Sequence, residues 1–279
     1  MKIGILTLPL HINYGGYLQA FALKSILLEH GNEVYLIENK NLYGNLLKRG
    51  LRQIKDSFSL LLFYLGKKNK EAEFILKEKK ISIFKDNYMC PIVDISNSKT
   101  LNDLDIVIVG SDQVWRPWKG LCRNSLYFFL DFIKSTKTKK ISYAASFGID
   151  KWEYNPVETI QIKKLLQDFS IISVREDDGV SLLQDNLGLP SIRMCDPTLL
   201  LTKNDYLSTL RIHHPDNDRI SSYILDSNSS KDDMLKIVAS FFKNDVLPLG
   251  YSEDNGVSSI NDWVRHLVSS KFLITDSFH

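Results

Sequence analysis

The sequence predicts an α/β protein made of two Rossmann-like halves, and three observations carry that expectation. Apolar runs of strand length alternate with stretches of helical period. Most of these runs close on small or polar residues. A polar stretch at 202–218 separates two such series. Strands that alternate with helices form parallel sheets covered on both faces.

The elements follow in order. Ile3 to Leu8 is rich in branched residues and reads as a buried parallel strand. Leu18, Phe21, Ala22, Ile26 and Leu27 recur at helical spacing up to Gly31, a helix stop. Val34 to Ile37 is a second strand, so a β-α-β unit opens the chain. Leu42, Leu46, Leu47, Leu51, Ile54, Phe58, Leu61 and Leu65 form one helical stripe, and a second helix is expected over about 69–84. Strands are then expected at 105–109, 139–145, 171–174 and 192–195, with helices at 156–168 and up to 187. Past the polar stretch come strand 220–225, helix 231–242, strand 246–249, helix 260–269 and strand 272–275. The expected domains are 1–204, with a basic helical insertion at about 41–87, and 205–279. The second is short for a Rossmann-like domain and reads as truncated.

Composition narrows the class. The 279 residues hold 35 Lys plus Arg against 33 Asp plus Glu, so net charge is +2 and nothing draws the whole chain to nucleic acid. Charge is uneven, however. Residues 40–85 carry 12 Lys or Arg and 4 acids, beside an apolar stripe. That segment reads either as a solvated face or as a contact with an anionic membrane surface. Cys90, Cys122 and Cys195 lie far apart with no CxxC pair, which argues for free thiols and against structural zinc. The start is too soon interrupted for a signal peptide, and the longest apolar run, Leu60 to Leu65, is far below the roughly 20 residues that span a bilayer. The expected location is cytoplasmic, at the inner face of the membrane if the basic segment rests there.

The candidate site residues stand where strands end, because ligands of open parallel sheets bind outside the carboxyl ends of the strands. Asn13, Tyr14, Gly15 and Gly16 lie between the first strand and helix. They form either a tight turn or a ligand loop whose N–H groups face an anion. Neither GxGxxG nor a Walker A ending is present. Gly110, Ser111, Asp112 and Gln113 close the strand at 105–109, and Ser146, Phe147 and Gly148 close the next. Arg175 and Glu176 follow strand 171–174 directly. An Arg there either grips a carboxylate or phosphate with two parallel bonds or holds the sheet rim by pairing with Glu176. Asp196-Pro197 ends the next strand and reads as a turn. Ser277 and His279 end the last strand, where a histidine can exchange protons near neutral pH. His213-His214 with Asp216 and Asp218, and Asp103-Leu104-Asp105, hold ligand-type residues but no geometry that fixes a metal, so no metal is expected.

Six blocks in order carry a resemblance: Asn13 to Ala20, Val109 to Trp115, Tyr143 to Gly148, Ser173 to Glu176, Asp196 to Leu200 and Thr275 to His279. Together they resemble the polysaccharide pyruvyl transferase family. The resemblance implies two Rossmann-like domains arranged as in B-type glycosyltransferases. It implies transfer of a pyruvyl group from phosphoenolpyruvate to two hydroxyls of a sugar, as a ketal, with no cofactor. The sugar would belong to a cell-surface polysaccharide or its lipid-linked precursor. Arg175 matches the arginine that holds the donor, and His279 matches the histidine near the phosphate. Arg116 departs from the family pattern, where Asn commonly follows the Trp. The pattern also continues past the histidine, which is why the second domain reads as incomplete. Two other functions fit the same architecture, a nucleotide-sugar glycosyltransferase and a non-catalytic binding protein.

Overall fold

In a computed structural model, residues 1–10, 13–39, 70–117, 126–213, 219–249 and 258–277 are described. The chain falls into two units, Met1–Arg49 with Met89–Leu201, and Gly50–Tyr88 with Thr202–His279.

The first unit opens with β1 (Lys2–Leu6), α1 (Tyr14–Glu29) and β2 (Glu33–Glu38). Asn13 is extended and its side chain accepts from the Gly16 N–H at 3.1 Å, so the helix starts one residue after it. Tyr14, Gly15 and Gly16 therefore form the first helical turn instead of a loop. β3 (Ile92–Asp94) and α3 (Ser98–Asn102) follow, then β4 (Ile106–Val109), β5 (Lys139–Ser142), α4 (Pro156–Leu166) and β6 (Phe169–Ile171). α4 begins on a capping box, Asn155 with Glu158, and has Pro156 at its first position.

β1 to β6 make one parallel sheet in the order β3-β2-β1-β4-β5-β6. This is the Rossmann order, and chain direction across the sheet reverses between β1 and β4. Both faces are covered. Ile3, Ile5, Val34, Leu36 and Ile108 pack with Leu23 of α1 and Cys90 on one face. Leu6, Ile37, Val107 and Val109 pack with Trp115, Phe129 and Ile162 on the other. Successive strand residues thus enter opposite cores, which is why these strands read as continuous apolar runs. Burial pushes the Cys90 thiol up to about 11, the nearby Lys24 opposing it. Cys195 is exposed and Cys122 lies outside the described residues.

Three features of this unit differ from the sequence reading. β3 was not anticipated, because three residues after a proline give no period to detect. The expected strand at 139–145 stops at Ser142, since Ala144 adopts a positive φ of 49°. The expected strand at 171–174 is two. β6 ends the large sheet, while β7 (Ser173–Val174) pairs in parallel with β8 (Ile192–Arg193), on either side of α5 (Asp177–Leu187). Single bridges from Asp112 to Ala145 and from Ala145 to Val174 carry the pairing across.

The second unit contains α2 (Lys70–Tyr88), which the sequence reading put in an insertion of the first domain. The apolar stripe at 42–65 lies outside the described residues. α6 (Lys203–Thr209) lies in the polar stretch read as a boundary, started by a capping box of Thr202 and Asp205. β9 (Arg219–Tyr223), α7 (Ser229–Phe242), β10 (Val246–Pro248), α8 (Ile260–Val268) and β11 (Ser270–Thr275) follow. The three strands form a parallel sheet, β10-β9-β11. Asn261 of α8 donates to the Tyr88 hydroxyl at 3.1 Å and to the Leu210 carbonyl at 3.2 Å, tying α2, α6 and α8 together.

Burial holds the pKa of His266 on α8 below its ordinary value, with Arg219 and Arg265 lowering it further and Asp262 opposing them. A lowered folded pKa favours the neutral ring. Stability is therefore intact above the unfolded value, about 6.5, and falls as pH drops below it. The unfolding midpoint is expected to decline between about pH 7 and 5, and His266→Gln to flatten that decline, as urea titrations at several pH values would show.

Candidate functional site

At the carboxyl edge of the first unit, four strand ends and the start of α1 meet. The β1 strand leads into Thr7, whose hydroxyl donates to the Ser111 carbonyl at 3.3 Å and accepts from Gln19 Nε2 at 2.8 Å. Gly110 N–H donates to the Leu6 carbonyl at 2.7 Å, which locks the end of β4 to β1. Asn13, the α1 cap, reaches Asp112 Oδ2 with its Nδ2 at 3.4 Å. The cap and the β4 end thereby face each other at the point of reversal.

Asp112 is nearly buried and adopts φ 81°, in the left-handed region that a non-glycine residue enters at a cost of about 1–2 kcal/mol. Several bonds hold it there. Its carbonyl accepts from Ser146 N–H at 3.0 Å and Val114 N–H at 2.8 Å, and its Oδ1 accepts from Gln113 N–H at 2.8 Å. The Ser146 hydroxyl in turn accepts from Gly148 N–H at 2.9 Å. Gly148 has φ 70°, and a Cβ there would lie 2.5 Å from Gln113 Cδ, so the glycine makes room for Gln113. Strained backbone held by redundant bonds is frequent at ligand sites.

Beside these lies a buried ionic network. Asp196 Oδ2 accepts from the Ser111 hydroxyl at 2.7 Å and lies 3.4 Å from Arg175 Nη1. Asp196 Oδ1 accepts from the Thr198 N–H at 2.9 Å and hydroxyl at 2.7 Å. Arg175 Nε pairs with Glu176 Oε1 at 2.6 Å. The side chains of Arg175 and Asp196 are 5% and 1% exposed. Arg175 is thus held from two sides by carboxylates at the end of β7. Tyr143 stands next to this network, its hydroxyl pushed up to about 12 by burial, then by Cys195 and Asp196.

The structure brings Asn13, Gly110, Ser111, Asp112, Gln113, Ser146, Gly148, Arg175 and Glu176 to this one edge of one unit. Tyr14, Gly15 and Gly16 lie in the buried first turn of α1, and Phe147 is buried as well. Phe147 packs in an aromatic cluster, 5.5 Å from both Trp115 and Trp152. Ser277 belongs to the second unit, where its N–H donates to Thr275 Oγ1 at 2.9 Å. His279 lies outside the described residues, as do His11, His214, Asp216 and Asp218. Asp196, read from sequence as a turn, joins three strand ends. Its place in a matched block was the signal. Asp105 accepts from the backbone N–H of Lys2 at 2.8 Å, a structural role.

Asp276 is a further acid that sequence reasoning passed over. Bonds from Lys231 Nζ at 2.6 Å and from the Leu225 and Asp226 N–H groups lower its pKa to about 2. It fixes the loop between β9 and α7. Among the described residues no three His, Cys, Asp or Glu side chains are grouped to hold a metal, and no helix is long and apolar enough to cross a membrane.

Comparison with known proteins adds an identification. A family model described as polysaccharide pyruvyl transferase matches residues 13–279. No curated protein matches the chain. Among solved structures, the chain is similar to the UDP-GlcNAc 2-epimerase from Methanocaldococcus jannaschii, at 11% identity, over 99% of this chain and 79% of that one, with a TM-score of 0.48.

Proposed function

Given that the chain belongs to the polysaccharide pyruvyl transferase family, we propose that its donor is phosphoenolpyruvate and its acceptor a sugar of a cell-surface polysaccharide or of its lipid-linked precursor. The observation that carries this reading is the assembly of the strand-end segments at the reversal point of the first sheet, around Arg175. Open parallel sheets bind ligands at that place.

The chemistry follows from the donor. Phosphoenolpyruvate carries a carboxylate and a phosphate, so it calls for guanidinium and N–H donors. Protonation of its methylene carbon makes C2 cationic. One sugar hydroxyl adds to C2 and loses its proton. The C2–O bond to phosphate breaks, phosphate departs, and the second hydroxyl closes the ketal. The leaving group is part of the donor, and the reading includes no resident cofactor or metal.

Arg175 orients the donor's anionic groups, while Glu176 and Asp196 fix the plane of its guanidinium. Asn13, Gly110, Ser111, Asp112, Gln113, Ser146 and Gly148 shape the surface against which the reactants lie. His279, assigned through its place in the family pattern, protonates or stabilises the departing phosphate, and Ser277 accompanies it. A positioned acid contributes about 10²–10⁴ in rate. The basic residues of 40–85 favour an anionic membrane surface, where a lipid-linked acceptor would be found, and the cytoplasmic face is the proposed place of the reaction.

The test is release of inorganic phosphate from phosphoenolpyruvate with lipid-linked and free glycans as acceptors. Acceptor-dependent release, with a new ketal on the glycan, is the expected result. Transfer from a nucleotide sugar, with no use of phosphoenolpyruvate, would replace this reading by glycosyl transfer.

A further inference from the structure

The Arg175 side chain is only 5% exposed, and two carboxylates already hold it. Asp196 Oδ2 lies 3.4 Å from Nη1, and Glu176 Oε1 lies 2.6 Å from Nε. A donor anion reaches this guanidinium only where one of the two gives way. Resting on the phosphoenolpyruvate reading above, we infer that Glu176 gives way and that the donor's carboxylate, not its phosphate, takes its place on Arg175. Glu176 is then a specificity-determining residue, a side-chain carboxylate that stands where the substrate carboxylate goes.

Three observations support the assignment. First, the two partners differ in freedom. Asp196 is buried, and its withdrawal would leave the buried Ser111 hydroxyl without its acceptor. The Glu176 side chain is 33% exposed, so it can turn into water. Glu176 heads α5 without a side-chain capping bond, and the helix start does not depend on where its carboxylate points. The Arg175 N–H donates to the Ala145 carbonyl at 3.0 Å, which keeps the base of the guanidinium fixed meanwhile. Second, the chemistry is like for like. The Nε edge of a guanidinium meets a carboxylate with parallel bonds, and a carboxylate already sits on that edge. Third, charge is conserved. Exchanging one carboxylate for another leaves the negative charge around Arg175 unchanged. A phosphate in that place would bring up to two charges beside the buried Asp196, which is repulsive. The donor's phosphate is thereby left to His279, the role proposed for it above.

A place held by an internal competitor weakens its ligand by the fraction of time the place is taken. Weakening the competitor therefore tightens the ligand. Glu176→Gln keeps the shape but exchanges a charge-assisted bond for a neutral one, about half as strong. Asp177→Asn is the charge control. Its carboxylate pairs with Arg193 at 2.7 Å, so the variant removes a neighbouring charge while Glu176 stays on Arg175. Dissociation constants would be measured on the full chain for wild type and both variants. Thermal shift serves for phosphoenolpyruvate and inorganic phosphate, and saturation-transfer NMR of the methyl group serves for pyruvate. Urea midpoints verify that each variant is folded.

The expected result is that phosphoenolpyruvate and pyruvate each bind about fivefold more tightly to Glu176→Gln, the step between a neutral and a charge-assisted hydrogen bond. Phosphate changes by less than about twofold, and Asp177→Asn moves all three ligands by no more than that, as a screened surface charge does. Phosphoenolpyruvate binding that is unchanged or weaker in Glu176→Gln would overturn the inference, because Glu176 would then stay in place beside the donor. Equal tightening of all three ligands, or tightening of phosphoenolpyruvate and phosphate without pyruvate, would overturn it too. The first outcome is a general charge effect, and the second puts the phosphate on Arg175. No phosphoenolpyruvate binding to any of the three proteins would overturn the donor reading itself, and this inference with it.

Discussion

Asp196→Ala is expected to lower folding stability by about 3–5 kcal/mol, the usual cost of removing one partner of a buried ion pair. The size comes from what is left behind. The Asp196 side chain is 1% exposed and receives the Ser111 hydroxyl, the Thr198 N–H and hydroxyl, and Arg175. Alanine leaves the buried Ser111 hydroxyl and the Arg175 guanidinium without this acceptor, and Arg175 keeps Glu176 as its carboxylate neighbour. Asp196→Asn retains the shape and part of the bonding, so a smaller loss is expected. Urea unfolding checks both, with the midpoint moving and the slope unchanged. An Asp196→Ala midpoint equal to that of the wild type would mean that the network does not hold the strand ends together.

Arg175→Lys is expected to reduce phosphoenolpyruvate-dependent turnover by about 10²–10³, the range seen when one preorganised donor is removed from a reacting oxygen's site. Lysine keeps the positive charge between Glu176 and Asp196, so the fold is preserved. It lacks the planar fork that matches a carboxylate or phosphate with two parallel bonds. A turnover loss with an unchanged urea midpoint separates this role from a purely structural one. If Arg175 only pairs with Glu176 at the sheet rim, the lysine variant will turn over like the wild type.

The fold was legible where physics acts locally. The runs at 3–8 and 105–109 declare buried strands because both their faces enter a core. The first helix declares itself from Leu18 onward by its apolar spacing, but its start at Tyr14 under the Asn13 cap did not, since two glycines read as a turn or loop. What escaped detection depends on long-range pairing. Ile92 to Asp94 is a strand only because β2 stands beside it. Ile172 separates β6 from β7 because the pairing passes from the large sheet to β8, which no local pattern encodes. The helix at 203–209 was legible in principle, through Thr202 and Asp205, but polar composition masked it.

The site shows the same division. Strand-end position found Gly110, Ser111, Asp112 and Arg175, since the carboxyl edge of a parallel sheet is set by topology. The same rule reached Asp196 but gave it only a turn, because a buried carboxylate acquires its partners from residues 85 and 21 positions away. Phe147 shows the reverse error. Its neighbours Ser146 and Gly148 belong to the edge, while its own ring turns into the aromatic core, as the alternation of side chains requires.

The central claim is that this chain binds phosphoenolpyruvate through Arg175. Thermal unfolding of the wild type and Arg175→Lys with phosphoenolpyruvate, inorganic phosphate, UDP-sugars and GDP-sugars tests it without knowledge of the acceptor. A ligand at 100 times its Kd adds about 2.7 kcal/mol to the folded state, a readily measured shift. The expected result is a rise with phosphoenolpyruvate that exceeds the rise with phosphate and is lost in the lysine variant. A rise with nucleotide sugars alone, or a phosphoenolpyruvate effect that the lysine variant fully retains, would contradict the claim.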